Sequence, residues 1–207
     1  MVTELALTFE GYWHIGDGRS DGSGVDALVR KTPSGLPVVP GRQLKGRLRA
    51  LMEQAARLGH LGVDEEGVTR WFGTPLPSPP LVGEQTKAVE VLEPFRFETR
   101  EGELFIGDCV LGSAKDAAAW EVWAADQPAS RAELFHTVSG TAIDEDGSAM
   151  RGSLRSIELT IPLTLRARIE GPADAIEALR QAMPLLREVG GHATRGLGRV
   201  SARLEAS

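Results

Sequence analysis

Apolar and polar residues alternate from Thr3 to Trp13, with Leu5, Leu7 and Phe9 set against Glu4, Thr8 and Glu10, which predicts a half-buried strand. The period then changes. From Arg42 to Leu58 the apolar positions Leu44, Leu48, Leu51, Met52, Ala55 and Leu58 form a helical stripe. Gly59–Gly67 reads as a loop and Val68–Gly73 as a short helical turn. The proline-rich run Thr74–Pro80 cannot pair within a central strand. Lys87–Leu111 predicts two strands around a turn at Arg100–Gly102, and Ala114–Trp123 a weak helix with Trp120 and Trp123 one turn apart. Core or interface packing suits those tryptophans better than base stacking. Phe135–Ser156 is polar, small and glycine-punctuated, with a turn at Asp144–Gly147, as in a projecting hairpin. Ile157–Glu170 alternates as one long strand. Pro172 opens a helix carrying Ile176, Leu179, Met183, Leu186 and Val189, which Pro184 should kink and Gly190-Gly191 should end. Gly198–Leu204 is a last strand.

This order predicts an α+β chain: a ferredoxin-like (RRM-like) βαββαβ core, forming a single domain over residues 1–207. Two insertions interrupt it, a glycine-rich loop at about 16–35 and the hairpin at about 135–156.

The first insertion holds Gly16, Gly18, Gly22, Gly24 and Gly35 around one singled-out acid, Asp26. Asp17 and Asp21 are nearby, and a role as solvated loop acids suits both. Pro40-Gly41 then leads into the helix, whose first N–H groups can receive an anion. Arg42-Gln43 follows Gly41 where a P-loop would need Lys-Ser/Thr, and Gly16-x-Gly18 lacks the third glycine of a dinucleotide fingerprint. At about 100° per residue Arg42, Lys45 and Arg49 share one edge of the helix. A solvated charged face and a phosphate-contacting one both fit that edge. The stretch Gly190–Arg199, GGHATRGLGR, packs four glycines, His192, Arg195 and Arg199 into ten residues with no acid. Forked arginine donors and glycine-exposed N–H groups suit an anion-binding loop.

Composition narrows the class. A net charge of −6 argues against a generic nucleic-acid binder. The charge is uneven, however: residues 29–57 hold seven Lys/Arg and one acid, Glu53, so a local groove can still attract phosphate. The lone Cys109 lies in the apolar run Leu104–Leu111, which excludes an internal disulfide and predicts a buried, inert thiol. No signal segment or membrane-length apolar run is present, which predicts a cytoplasmic protein with no membrane partner.

Ordered blocks along nearly the whole chain resemble the RAMP superfamily of CRISPR-associated proteins, and within it the repeated backbone subunit of type III effector complexes. They are Trp13–Gly16, Gly24-Val25-Asp26 with Val29, Gly35–Gly41, Leu44–Arg49 and Trp71-Phe72-Gly73. Thr141–Asp144 before Gly147-x-Ala149, then Glu158 and Gly190–Arg199, complete the set. The resemblance implies a subunit that polymerises along guide RNA beside copies of itself and other effector subunits. A palm would grip the guide backbone, and a thumb hairpin would displace nucleotides. It further implies that Asp26, with a divalent metal such as Mg2+, cuts the complementary target RNA. It places His14, Lys45, Arg49, Gly190, Gly191, Arg195, Gly196 and Gly198 at the guide, and the shared helix edge adds Arg42 to the expected RNA-binding set. Two departures stand out: Arg42-Gln43 replaces the usual pair of small hydroxyl residues, and Gly107-Asp108-Cys109 replaces a Ser-Asp-Ala-like sequence. Two other roles remain open. One is a non-catalytic structural RNA-binding subunit; the other is a guide-processing endoribonuclease with His14 or another histidine as base.

Overall fold

A computed structural model describes residues 1–20, 22, 24–74, 100–113 and 115–206. The proline-rich run and the first of the two strands expected over Lys87–Leu111 lie largely outside these residues. Four longer elements build the main layer: strands β1 (Val2–Phe9), β6 (Thr164–Glu170) and β7 (Val200–Ala206), and helix α1 (Gly41–Arg57). Two short strands, β2 (Phe105–Ile106) and β3 (Val110–Leu111), both pair with β6 on its outer side. The sheet runs β2-β6-β1-β7, antiparallel throughout. A second, two-stranded sheet pairs β4 (Phe135–Gly140) with β5 (Arg155–Thr160).

Register explains the core. Leu5 lies opposite Ala167 and Leu204, and Leu7 opposite Leu165, so one face of the main sheet is continuously apolar. Helix α1 covers it with Leu44, Leu48, Met52 and Ala55, the stripe expected from the sequence; its last member, Leu58, falls after the helix and is exposed. Helix α2 (Glu65–Phe72) starts earlier than its apolar residues suggest, because the Asp64 carboxylate accepts the Gly67 N–H at 2.7 Å and caps it. Helices α3 (Ala117–Asp126) and α4 (Pro128–Ala132) lead to the hairpin, and Trp120 and Trp123 meet edge-on at 5.4 Å. Cys109 is fully buried, and burial pushes its thiol pKa up, as expected for an inert residue.

Three elements differ from the sequence pattern: the strand expected to run up to Leu111 is split into β2 and β3 by Gly107-Asp108-Cys109, and the other two differences fall at prolines. The alternation over 157–170 does not make one strand: the chain leaves the hairpin sheet after Thr160 and enters the main sheet at Thr164. Pro162 has no N–H to give a ladder, and the break is pinned by the Trp13 indole N–H donating to the Ile161 carbonyl at 2.8 Å. Helix α5 (Ala173–Ala182) likewise stops short of Gly190: Pro184 turns it into a 3-10 turn at Met183–Leu185. Leu186 and Val189 are buried, but from an extended connection rather than a helix.

The two sheets are joined at Trp13. It stacks on Phe9 with ring centroids 4.1 Å apart and exchanges backbone hydrogen bonds with Thr160. The hairpin base is thus fixed to the end of β1, while the segment 141–152 projects with every residue exposed.

Candidate nucleic-acid interface

The glycine-rich insertion is tied down on its returning limb. Ala27 bridges Ile157 in parallel, Val29 bridges Gly16, and Glu158 receives both the Val29 N–H at 3.0 Å and the Lys31 ammonium at 2.7 Å. Asp26 therefore sits against the first residues of β5. Its N–H donates to the Ser156 carbonyl at 2.8 Å, and its Oδ2 accepts the Ser156 N–H at 2.7 Å. Oδ1 lies 3.8 Å from the Arg155 guanidinium, and the carboxylate is half-exposed. Nothing in the sequence pairs Asp26 with a partner; Arg155 and Ser156 supply one from 130 residues away. Asp17 caps its own loop by accepting the Arg19 N–H, and Asp21 lies outside the described residues.

His14 is buried at the junction of the two sheets. Its Nδ1 is 2.7 Å from the Glu158 carbonyl, which can only accept, so Nδ1 carries the proton and Nε2 faces Gly16. The His14 carbonyl accepts the Gly191 N–H at 2.9 Å. At Gly190, with φ of 109°, a Cβ would lie 2.5 Å from that carbonyl oxygen, so no side chain fits there. The structure thus brings His14 together with Gly190, Gly191 and His192, whose ring meets that of His14 edge-on at 5.6 Å. Burial, then His14 and Arg195, hold the His192 pKa below its ordinary value.

The loop Gly190–Arg199 uses its glycines differently from the way the sequence suggests. The N–H groups of Gly191, Arg195, Gly196, Leu197 and Gly198 all donate within the chain, so they do not form a cradle for phosphate. A Cβ on Gly198 would meet the Val189 carbonyl at 2.3 Å, whereas Gly196 turns in open space. Phosphate capacity here rests on side chains: Arg195 is exposed, with no ion pair among the described residues.

The basic edge of α1 is also engaged. Lys45 donates to the Leu104 carbonyl at 2.7 Å, and its ammonium pKa is lowered by burial, with Glu101 opposing and Arg49 reinforcing the shift. Arg49 pairs with Glu53 at 2.7 Å. The first N–H of the helix, at Gly41, donates to Asp108 at 2.7 Å, so the expected anion at this terminus is the chain's own carboxylate. Gly41 is required because the β2–β3 connection crosses it: a Cβ would lie 2.3 Å from the Ile106 carbonyl oxygen. Arg42 remains exposed. Arg47, on another side of α1, pairs with Glu188 at 2.9 Å, and Glu188 bridges Arg199 at the head of β7. Lys45 thus points toward the β2 edge of the sheet and Arg47 toward the β7 edge, where the glycine loop begins.

Between the hairpin and that loop lies a groove of about 610 Å³. Cross-strand register puts Val138 opposite Ile157 and Gly140 opposite Arg155 on one face of the hairpin. Leu159, Leu197, Arg155 and Arg195 also line the groove, and Asp26, which is not part of the lining, lies beside Arg155. Tyr12 and His136, both exposed, meet at 5.8 Å beside the junction. Sequence reasoning does not single out Arg155 or Leu197; only the register of the hairpin identifies Arg155. The open face of the main sheet is electrically compensated by contrast. Arg166 pairs with Glu4 and Glu205, Arg203 with Glu205, and Arg168 with Glu170.

The RAMP superfamily model matches residues 6–201. The chain belongs to the RAMP superfamily. No curated protein matches this RAMP chain in sequence. Its fold is similar to that of a chain from a cryo-EM structure of type III-B Cmr-beta bound to cognate target RNA, with a TM-score of 0.60 at 20% identity. That alignment covers 99% of the RAMP chain described here but 59% of the other chain's length. A chain from type III-B Cmr-beta in the apo state aligns with a TM-score of 0.59 at 14% identity, covering 99% of this chain and 97% of the other. At these identities the likeness is one of fold.

Proposed function

We propose that this RAMP chain is a guide-RNA-binding backbone subunit of a type III CRISPR effector complex of the Cmr kind, and that it cleaves complementary target RNA through Asp26. The observation that carries this reading is a groove at the base of a projecting hairpin that is lined by Arg155 and Arg195, with Asp26 3.8 Å from the Arg155 guanidinium. The antiparallel order β2/β3-β6-β1-β7, with α1 and α5 as the crossing helices, supports a ferredoxin-like palm, and the hairpin a thumb. Arg195 would hold the guide on the glycine-loop side, from a loop whose course is set by the His14–His192 junction, Gly190, Gly191, Gly196 and Gly198. Arg42 is exposed on the same edge of α1 as Lys45, and Lys45 and Arg49 reach a phosphate only by releasing Leu104 and Glu53.

Asp26 suits a proton-transfer role. In such a site the target strand lies with a ribose 2′-hydroxyl at Oδ1, the oxygen not bonded to Ser156. The carboxylate takes the 2′-hydroxyl proton, the O2′–P bond forms and the P–O5′ bond breaks, and water protonates the leaving 5′-oxygen. The products are a 2′,3′-cyclic phosphate and a 5′-hydroxyl. Among the described residues no group of three or more His, Cys, Asp or Glu side chains is arranged to hold a metal. A Mg2+ ion would therefore be shared between Asp26 and RNA phosphates, as Mg2+ commonly is, and would supply charge neutralisation there.

Purification with its effector partners and a guide tests the reading. A guide-loaded assembly that cuts complementary RNA at regular positions, leaving 2′,3′-cyclic phosphate ends, is the expected result. An assembly that binds target without cutting it would instead indicate the structural role, with Asp26 acting only as the cap of Ser156.

A further inference from the structure

We infer that Arg155 is a second catalytic residue, binding the scissile phosphate of the strand that Asp26 attacks; this rests on the cleavage reading above. Strand β5 begins at Arg155, and the register sets this residue opposite Gly140, the last residue of β4. With no side chain on the opposite position, the guanidinium has room to move. It is 73% exposed, and its ion-pair partner among the described residues is the Asp26 carboxylate at 3.8 Å, too long for a fixed hydrogen bond. It also lines the groove with Arg195. Ser156, the next residue, holds Asp26 Oδ2 through its backbone, so the base and the arginine are fixed to adjacent residues of one strand.

That pairing answers an electrostatic problem. A carboxylate acting on a phosphodiester brings two negative charges together, and the phosphorus gains further charge on its non-bridging oxygens as O2′ attacks. A guanidinium within reach of both anions relieves the repulsion, and its fork matches two phosphate oxygens at once. Because it is solvent-exposed and loosely paired, Arg155 transfers from Asp26 to phosphate at little cost. Arg195, across the groove and without a carboxylate beside it among the described residues, is left to hold backbone phosphates that do not react.

The test uses the guide-loaded assembly with bound target, measuring single-turnover cleavage and target affinity separately. Arg155→Ala should slow cleavage by about 10²-fold, as for loss of one donor to a developing oxyanion, with target affinity within a few-fold of wild type. Arg155→Lys, which keeps the charge but not the fork, should recover part of the rate. Unchanged guide co-purification and thermal midpoint would establish that the hairpin base is intact. Should Arg155→Ala cleave at the wild-type rate while Asp26→Ala does not cut, the inference falls and the cleavage reading stands. If both variants cut normally, the cleavage reading itself falls. A rate loss fully accounted for by weaker target binding would make Arg155 a binding residue and overturn the catalytic assignment.

Discussion

At the scale of single residues, the chemistry of this chain is organised by pairs far apart in sequence. Asp26 is legible as a candidate residue and Glu158 as part of the family pattern, but the partners that orient them, Ser156 and Lys31, depend on the hairpin docking against the loop. Asp108 shows the opposite lesson: its neighbourhood is ordinary in sequence, yet it satisfies the first N–H of α1. Asp108→Ala should destabilise the fold by about 1 kcal/mol, the usual loss for a helix cap, and leave RNA affinity unchanged; chemical denaturation with an RNA-binding assay checks both. His192 gives a pH dependence. Its folded pKa is held below the ordinary 6.5, so on acidification the unfolded chain takes up a proton before the folded one does. Stability is therefore free of this penalty above about pH 6.5 and declines as the pH falls below it. Thermal midpoints between pH 7.5 and 5.5 should fall more steeply for wild type than for His192→Asn, since asparagine tolerates the left-handed backbone found there.

Helices and strands with long periodic faces are readable from the sequence, and the places where they end are not. The stripe of α1 and the alternation of β1 and β6 follow the apolar positions closely because the sheet and helix bury those same faces. Pro162 and Pro184 interrupt patterns that are otherwise unbroken, and apolar residues beyond each remain buried by different geometry. Apolar spacing alone does not report such a change. The hairpin follows a different rule, since its tip has no residue in the buried core. The segment 141–152 is wholly exposed, while the base is held by the Ser139–Ser156 hydroxyl pair and the Trp13–Thr160 exchange. Deleting residues 141–152 should leave a cooperatively folded monomer with a near wild-type melting temperature and abolish regular assembly along guide RNA, seen by size-exclusion chromatography. Unfolding of that variant would show that the tip contributes to the core.

Across the described residues, an acidic chain pairs many of its basic side chains internally and leaves Arg195 and the loosely paired Arg155 facing one groove. The open sheet face neutralises its own arginines, and α1 commits Lys45, Arg47 and Arg49 to internal partners. The sequence shows that basic residues cluster but not which of them are already paired, because pairing follows from which sheet edge each faces. Replacing Arg155 and Arg195 together with alanine should reduce the salt dependence of RNA binding by about one unit of slope for each phosphate no longer neutralised, as measured by titration across a range of salt concentrations. The most direct measurement compares wild type with Asp26→Ala as guide-loaded assemblies, at equal target occupancy and with Mg2+ present. Asp26→Ala should bind guide and target normally and cut at least about 10²-fold more slowly, and chelating the metal from wild type should mimic it. Cleavage by Asp26→Ala at the wild-type rate and positions would contradict the assignment of the chemistry to this residue.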